Sequence, residues 1–331
     1  MIRWGIIGCG DVCEVKSGPG FQRARDSALV AVMRRDGARA ADFARRHGVP
    51  RWHDDADALL HDPEVDAVYV ATPPDAHCEY TLRAARAGKP VYVEKPMART
   101  AAEAETMFAA CREAGVPLYV AYYRRAMPRF RQAKALLDAG HVGRVRVVTV
   151  ELWVPPAPEE FSAEAPWRVR PEVGGGGRFV DMGCHQLDLV DFLLGPIAEV
   201  QGLAGNQGGR YGAEDVVAAS FRTAQGVFGT GTWSYSAAVP RDRIEVVGER
   251  GTLAFACFDL AEPLALATAD GLQHVHVAPE PHVQQPLIQT VVDALHGRGE
   301  CPSTGESALR TTRVIDRILA DWRAAASPGA R

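Results

Sequence analysis

The chain of 331 residues is 47% hydrophobic and 24% charged, long enough for two domains with a substantial core in each. Its formal net charge of −4 and pI near 6.2 remove the electrostatic case for nucleic-acid binding, and no run is apolar and long enough to span a membrane. Seven scattered cysteines without a CxxC pair fit reduced thiols better than a disulfide framework. The N-terminal "IRWGIIG" lacks the basic-then-apolar plan of a signal peptide, so a cytoplasmic protein is expected.

In chain order, strands are predicted at Arg3–Ile7, Leu29–Met33, Ala67–Ala71, Val91–Val93 and Leu118–Ala121. Between them "GARAADFARRHG", "AHCEYTLRAARAG" and "TAAEAETMFAACREAG" have helical period and end in glycine. Nearly all-apolar strands alternating with helices predict an α/β domain with a parallel sheet covered on both faces, residues 1–122. Beyond Tyr123 longer strands follow at Arg144–Trp153, Val216–Phe221, Val227–Ser236, Ile244–Gly248 and Thr252–Phe258, separated by turn signals such as "TAQG" and "GERG". Helices are expected around Phe179–Leu194, Pro286–Leu295 and Ser307–Ala325. The second domain, residues 123–331, thus reads as α+β on a largely antiparallel sheet, with a frayed tail "SPGAR".

The stretch "GIIGCGDVC" follows the first strand and opens a helix. Gly8 and Gly10 fit the first two glycines of a dinucleotide fingerprint, and Cys13 stands at the third. The first glycine permits a tight turn, and the second lets the backbone approach a pyrophosphate at a helix N-terminus. Gly8, Cys9, Gly10, Asp11 and Val12 would therefore cradle the cofactor. In "VAVMRRD" the next strand ends in Arg34 and Arg35 where an NAD-preferring protein usually carries an acid. Guanidinium groups there, joined by Arg39, suit a 2′-phosphate, so NADP(H) is favoured over NAD(H). Asp36 on a ribose, with solvated arginines, is the alternative. "EKP" at Glu94–Pro96 places Lys95 in extended backbone at the carboxyl edge of the sheet, where open α/β sheets bind ligands.

"DMGCHQLD" spaces Asp181, His185 and Asp188 along one helical face. Met182, Leu189, Val190, Leu193 and Leu194 oppose it, so the segment reads as amphipathic. By itself it fits a metal site, an acid/base group or a solvated stripe. His274 and His276 share a strand face, but nothing ties them to His185, so no metal is expected. Cys184 adjoins His185 yet points elsewhere on a helix, so no nucleophile system is expected.

Together "GIIGCG", "ATPPDAH", "EKP", "YYRR" and "WRV…GGGGRFVDMGCHQLD" resemble the glucose–fructose oxidoreductase / inositol dehydrogenase / rhizopine catabolism (Gfo/Idh/MocA) family over residues 1 to about 195. The resemblance implies a Rossmann domain over residues 1–122, an open-faced, largely antiparallel sheet in the second domain and a nicotinamide cofactor between them, with Thr72, Pro73 and His77 along it and Glu94 and Lys95 at its nicotinamide end. It also implies that Lys95, Asp181 and His185 meet at the hydride-transfer centre, and that the protein is a homodimer or homotetramer.

Oxidising a secondary alcohol needs a base for the hydroxyl proton, and histidine titrates near neutrality. His185 is the expected proton carrier, with Asp181 orienting it or gripping a substrate hydroxyl. Lys95 would stabilise charge on the reacting oxygen and share in the relay. Asp188 is either a partner behind these groups or a contributor to helix electrostatics. Tyr122, Tyr123, Arg124, Trp167 and Arg168 are candidates for the wall of a substrate pocket. Core packing is the alternative for the two tyrosines. Gly174–Gly177 reads as a mobile loop or a tight connection. The expected function is NADP-dependent hydride transfer to or from a sugar, polyol or related small molecule. The alternatives are oxidation-assisted elimination or glycoside cleavage with retained cofactor, and a non-catalytic dinucleotide-binding regulator.

Overall fold

A computed structural model describes residues 1–162 and 165–326; the expected fraying of "SPGAR" falls outside them. The chain divides into two compact units, Met1–Met127 with Glu280–Leu309, and Pro128–Pro279 with Arg310 onward.

The first unit holds β1 (Ile2–Ile7), α1 (Gly18–Arg23), β2 (Ser27–Met33), α2 (Gly37–His47), β3 (Arg51–His53), α3 (Ala56–Leu60), β4 (Ala67–Val70), α4 (His77–Arg86), β5 (Val91–Val93), α5 (Ala101–Glu113) and β6 (Leu118–Val120). The strands form one parallel sheet in the order β3-β2-β1-β4-β5-β6. Its central strands β4 and β5 are buried at every residue, as expected of strands covered on both faces. Local signals set the helix ends. The Asp36 carboxylate caps α2 by accepting the Arg39 N–H at 3.1 Å, and Gly48 at φ +65° ends it. Thr100 caps α5 through the Glu103 N–H at 3.2 Å. The three-residue β3 is a short, exposed edge strand with Trp52 47% accessible, too brief for periodicity to reveal.

The second unit runs through α6 (Pro128–Asp138), β7 (Val145–Trp153), α7 (Pro171–Gly174), α8 (Cys184–Leu194), β8 (Ile197–Gly205), β9 (Val216–Thr223), β10 (Phe228–Ser234), β11 (Arg241–Gly248), β12 (Gly251–Phe255), β13 (Leu264–Thr268) and β14 (Gly271–Val275). Its eight-stranded sheet has the order β14-β13-β12-β11-β7-β10-β9-β8, and only the β7–β10 pair is parallel. Burial alternates along β9 and β10, as a sheet with one packed face requires. Gly229, Gly231 and Trp233 point inward, whereas Leu203, Phe228 and Val147 are exposed. Three strands here escape the sequence reading: β8 is diluted by Gly202 and Gly205, and β13 and β14 are short, with β14 exposed almost throughout.

The chain returns to the first unit with α9 (Gln285–Leu295) and ends in α10 (Gly305–Ala326). A Cβ on Gly20 would lie 2.7 Å from Ile288 Cδ1, so the missing side chain lets α9 settle against α1. The Ser303 hydroxyl donates to Val120 O at 2.7 Å, and Val120 N–H donates to Ser303 O. The contiguous division 1–122/123–331 therefore differs from the observed units in its return segment, because helical period does not encode which sheet a helix docks against.

Candidate active site

The nucleotide end is built at the tip of β1. Gly8 takes φ +89°, and a Cβ there would lie 2.7 Å from Thr72 Cγ2 and 2.9 Å from Thr72 N, so only glycine fits. A Cβ on Gly10 would meet nothing nearer than Gly8 O at 3.9 Å. Open space over a helix-opening glycine is what a pyrophosphate needs. Beyond it the chain winds through a π-turn, Cys13–Ser17, before α1. Cys13 is wholly buried, and a Cβ on Gly18 would fall 2.3 Å from Cys13 O. Cys13 itself fills the third, packed position, and Gly18 lets the chain pass tightly over the Cys13 carbonyl at the end of the π-turn. Burial pushes the Cys9 thiol up to about 11 and Cys13 higher still, so both stay protonated.

Arg34 is half-buried and its Nη1 reaches Cys9 O at 3.5 Å, while Arg35 and Arg39 are exposed. Asp36, the alternative ribose ligand, is engaged twice by Arg39, through its backbone N–H and through Nε at 3.3 Å. At this strand end Arg34 and Arg35 form no ion pair among the described residues, while exposed Asp36 is held by Arg39.

Lys95 follows β5 and joins Pro96 through a cis peptide. Behind it Glu94 is buried and accepts three hydrogen bonds: from the Tyr69 hydroxyl at 2.5 Å, Gln284 Nε2 at 2.8 Å and the Lys95 backbone N–H at 3.1 Å. Glu94 therefore anchors the peptide that carries Lys95. Tyr69 and Gln284 were not legible as site residues, since neither belongs to a motif. His77 is fully buried between two carbonyls, Thr72 O at 2.8 Å and Pro96 O at 3.0 Å, and burial lowers its pKa. It ties the Thr72–Pro73 loop to the "EKP" turn. Tyr122 is wholly buried, and Tyr123 and Arg124 nearly so, with the guanidinium 5.0 Å from the Tyr123 ring centre. Core packing accounts for Tyr122.

In the second unit Asp181 lies in a π-turn, Phe179–Gly183, and His185 in the first turn of α8. The expected amphipathic surface helix is overturned: in α8 every residue but Phe192 is buried, His185 and Asp188 included. A solvated stripe is excluded with it. Asp188 accepts the Thr311 hydroxyl at 3.2 Å, and Asp191 accepts Arg310 in two bonds of 2.9 and 2.8 Å, so these acids fasten α8 to α10. Half-buried Asp181 faces Arg168 Nε at 3.6 Å, and the Arg168 guanidinium stacks 4.5 Å from the Trp167 ring. The His185 ring meets the Phe258 ring at 5.9 Å and 79°. Cys184 Sγ donates to Asp181 O at 3.2 Å.

The glycine run is a tight connection. The Gly177 N–H donates to Glu214 Oε1 at 2.7 Å, Arg323 Nη2 donates to Gly175 O at 2.7 Å, and a Cβ on Gly177 would lie 2.3 Å from Glu214 O. Burial raises the Glu214 carboxyl to about 7. Arg178 pairs with buried Glu160 at 2.7 Å. Among the described residues no three His, Cys, Asp or Glu side chains converge as metal ligands, and no helix is long and apolar enough to cross a membrane.

A parallel βαβ sheet with an open glycine turn, in a chain that also carries a mostly antiparallel sheet unit, is the architecture of an NAD(P)-dependent oxidoreductase acting on CH–OH groups. Residues 2–122 match the oxidoreductase family with NAD-binding Rossmann fold, and residues 130–254 match the GFO/IDH/MocA C-terminal domain. The chain is 36% identical over 318 residues to Oxidoreductase P35 of Formosa agariphila, covering 95% of this chain and 97% of that one. It is 30% identical over 335 residues to 1,5-anhydro-D-fructose reductase of Ensifer adhaerens, covering 98% of each. A solved 3-ketoreductase of Actinomadura kijaniata, in complex with NADP and TDP-benzene, superposes with a TM-score of 0.83 at 26% identity, covering 96% of this chain and 97% of that one. The chain belongs to the GFO/IDH/MocA oxidoreductase family.

Proposed function

We propose that this enzyme transfers a hydride between NADP(H) and a secondary alcohol or ketone carbon of a sugar, polyol or related compound, with NAD(H) the weaker cofactor. The observation that carries the reading is Asp181 and His185 one helical turn apart on a packed, largely buried segment, with the Trp167–Arg168 pair beside Asp181. A buried imidazole one turn from a half-buried carboxylate is an arrangement suited to proton transfer. An aromatic face with adjacent donors suits a polyhydroxylated ring. The relative named 1,5-anhydro-D-fructose reductase and the 3-ketoreductase solved with NADP support the substrate class and the cofactor.

Gly8 to Val12, with Thr72 and Pro73, would hold the dinucleotide, and Arg34, Arg35 and Arg39 its 2′-phosphate. The bound nicotinamide supplies or accepts the hydride. His185 takes the hydroxyl proton in oxidation and returns it in reduction. Lys95 hydrogen-bonds the reacting oxygen and stabilises charge developing there, and it shares the relay. Asp181 orients the imidazole or holds a neighbouring substrate hydroxyl. Tyr123, Arg124, Trp167 and Arg168 contact substrate. The exposed Leu203, Phe228 and Val147 on the open sheet face support association into a homodimer or homotetramer. Seven free cysteines fit a cytoplasmic location.

The test is fluorescence titration with NADPH and NADH, followed by turnover on a sugar and polyol panel. Lys95→Ala and His185→Gln should each lower kcat by about 10²–10⁴ with dinucleotide Kd unchanged. Arg35→Ala should weaken NADPH about tenfold and leave NADH unaffected. An enzyme that binds neither dinucleotide, or turns over normally without His185, does not work this way.

A further inference from the structure

The loop joining β12 to β13 is held far more firmly than a hairpin connection needs. The Asp242 carboxylate, at the start of β11, accepts three consecutive backbone N–H groups of that loop. They come from Cys257 at 3.0 Å, Phe258 at 2.6 Å and Asp259 at 3.1 Å. The carbonyls of the same loop are taken by Arg129 of α6, which is only 4% exposed and donates to Glu262 O and Ala256 O. A buried guanidinium loses solvation, and burial lowers its pKa here against the attraction of Glu262, Asp259 and Asp242. Two charged side chains thus clamp one short loop, one by its amides and one by its carbonyls. A nest of successive N–H groups around a carboxylate is a rigid arrangement.

The side chain presented at the middle of the clamp is Phe258, and its ring stands edge-to-face on His185. Asp242 also reaches the neighbouring helix residue: Gln186 Nε2 lies 3.5 Å from its Oδ1, and Gln186 Oε1 accepts the Trp233 indole N–H at 2.7 Å. One carboxylate therefore locates both the helix turn that carries His185 and the ring against it. No sequence motif signals Asp242, Arg129 or Phe258.

We infer that Phe258 is a positioning residue for His185, fixing the imidazole's rotation and shielding one side of it from water, and that Asp242 and Arg129 serve to hold Phe258 there. The inference rests on the assignment of proton transfer to His185. An aromatic wall limits the ring flips open to a histidine side chain. It also withholds water from one side of the imidazole, which disfavours the charged form. Charged groups that the surrounding elements bring to this neighbourhood are Asp181 with Arg168, Asp242, Asp259, Glu262 and Arg129, and all of them remain in the variants of Phe258.

The experiment uses the full-length enzyme with isotope-labelled histidine, the His185 resonance being assigned by its loss in His185→Gln. Phe258→Leu should move the His185 titration midpoint upward by roughly half to one pH unit and shift the acid limb of kcat/KM with it. It should lower kcat about tenfold and leave the dinucleotide Kd unchanged. Phe258→Tyr should restore all three. Asp242→Ala should reproduce the Phe258→Leu shift, and Asp242→Asn, which keeps an acceptor, should lie between. Folded variants whose His185 titration and pH profile match the parent would overturn the inference. Should His185→Gln retain turnover while Phe258→Leu still moves the His185 titration, the proton-transfer assignment fails and the positioning contact stands.

Discussion

Each unit buries a glutamate beside residues assigned to the reaction, and the two are housed differently. Glu94 in the first unit accepts from a phenol, an amide side chain and the backbone N–H of Lys95. Glu214 in the second unit sits under the glycine connection, with the Gly177 N–H on Oε1, and its carboxyl is raised to about 7. Both lose the same water on burial, but what replaces it differs: side-chain donors reach Glu94, whereas Glu214 relies on backbone N–H groups and the more distant charge of Arg323. Donors aimed at a carboxylate make an anchor, and a sparsely served one becomes a site whose charge depends on pH.

The strongest way to break this comparison is Glu94→Ala. It orphans the Tyr69 hydroxyl, the Gln284 amide and the Lys95 N–H together, so unfolding free energy should drop by about 3–5 kcal/mol. Denaturant titration measures the drop, and turnover should fall further than NADPH affinity because the peptide under Lys95 loosens. Glu214→Gln should act in the opposite sense. A carboxyl whose folded pKa lies near 7, against the ordinary 4.5, binds its proton more tightly in the folded state. Its stabilising effect is complete below 4.5 and is lost as pH rises through 7. The parent should therefore lose up to about 3 kcal/mol of stability across that window. The glutamine variant, neutral throughout and still able to accept from Gly177, should show a flatter stability profile and a higher Tm at pH 8. An unchanged profile would make Glu214 an ordinary anchor after all. The smallest effect belongs to Asp36→Ala, which removes the α2 cap at about 1 kcal/mol. The ratio of NADPH to NADH affinity should rise modestly, because Arg39 is released from the carboxylate for the 2′-phosphate.

Much of this was legible in the sequence, for reasons that also explain what was not. Gly8 and Gly10 announce themselves because a turn and a close backbone approach each demand glycine, and the apolar strands of the first unit can only be central. The α8 segment was misjudged as amphipathic because Asp188 and Asp191 look solvent-facing until Thr311 and Arg310 are seen to meet them. Those partners lie more than a hundred residues away, outside any window of periodicity. A still longer separation, 190 residues, hid Gln284 behind Glu94, whereas Asp242 lies only 16 residues from Phe258 and was hidden because no motif links a strand carboxylate to loop amides. Motifs record residues that act on a ligand, whereas residues that hold those in place are chosen by the geometry of the finished fold.

The parallel pairing of β7 with β10 closes a loop of about seventy residues, and Asp181, His185 and Glu214 all lie within it. Closing it costs more chain entropy than closing the short-range hairpins β9–β10 and β11–β12. The segment proposed to carry proton transfer is therefore enclosed by a costly long-range strand contact of its sheet, whereas the nucleotide turn at Gly8 depends on none of it.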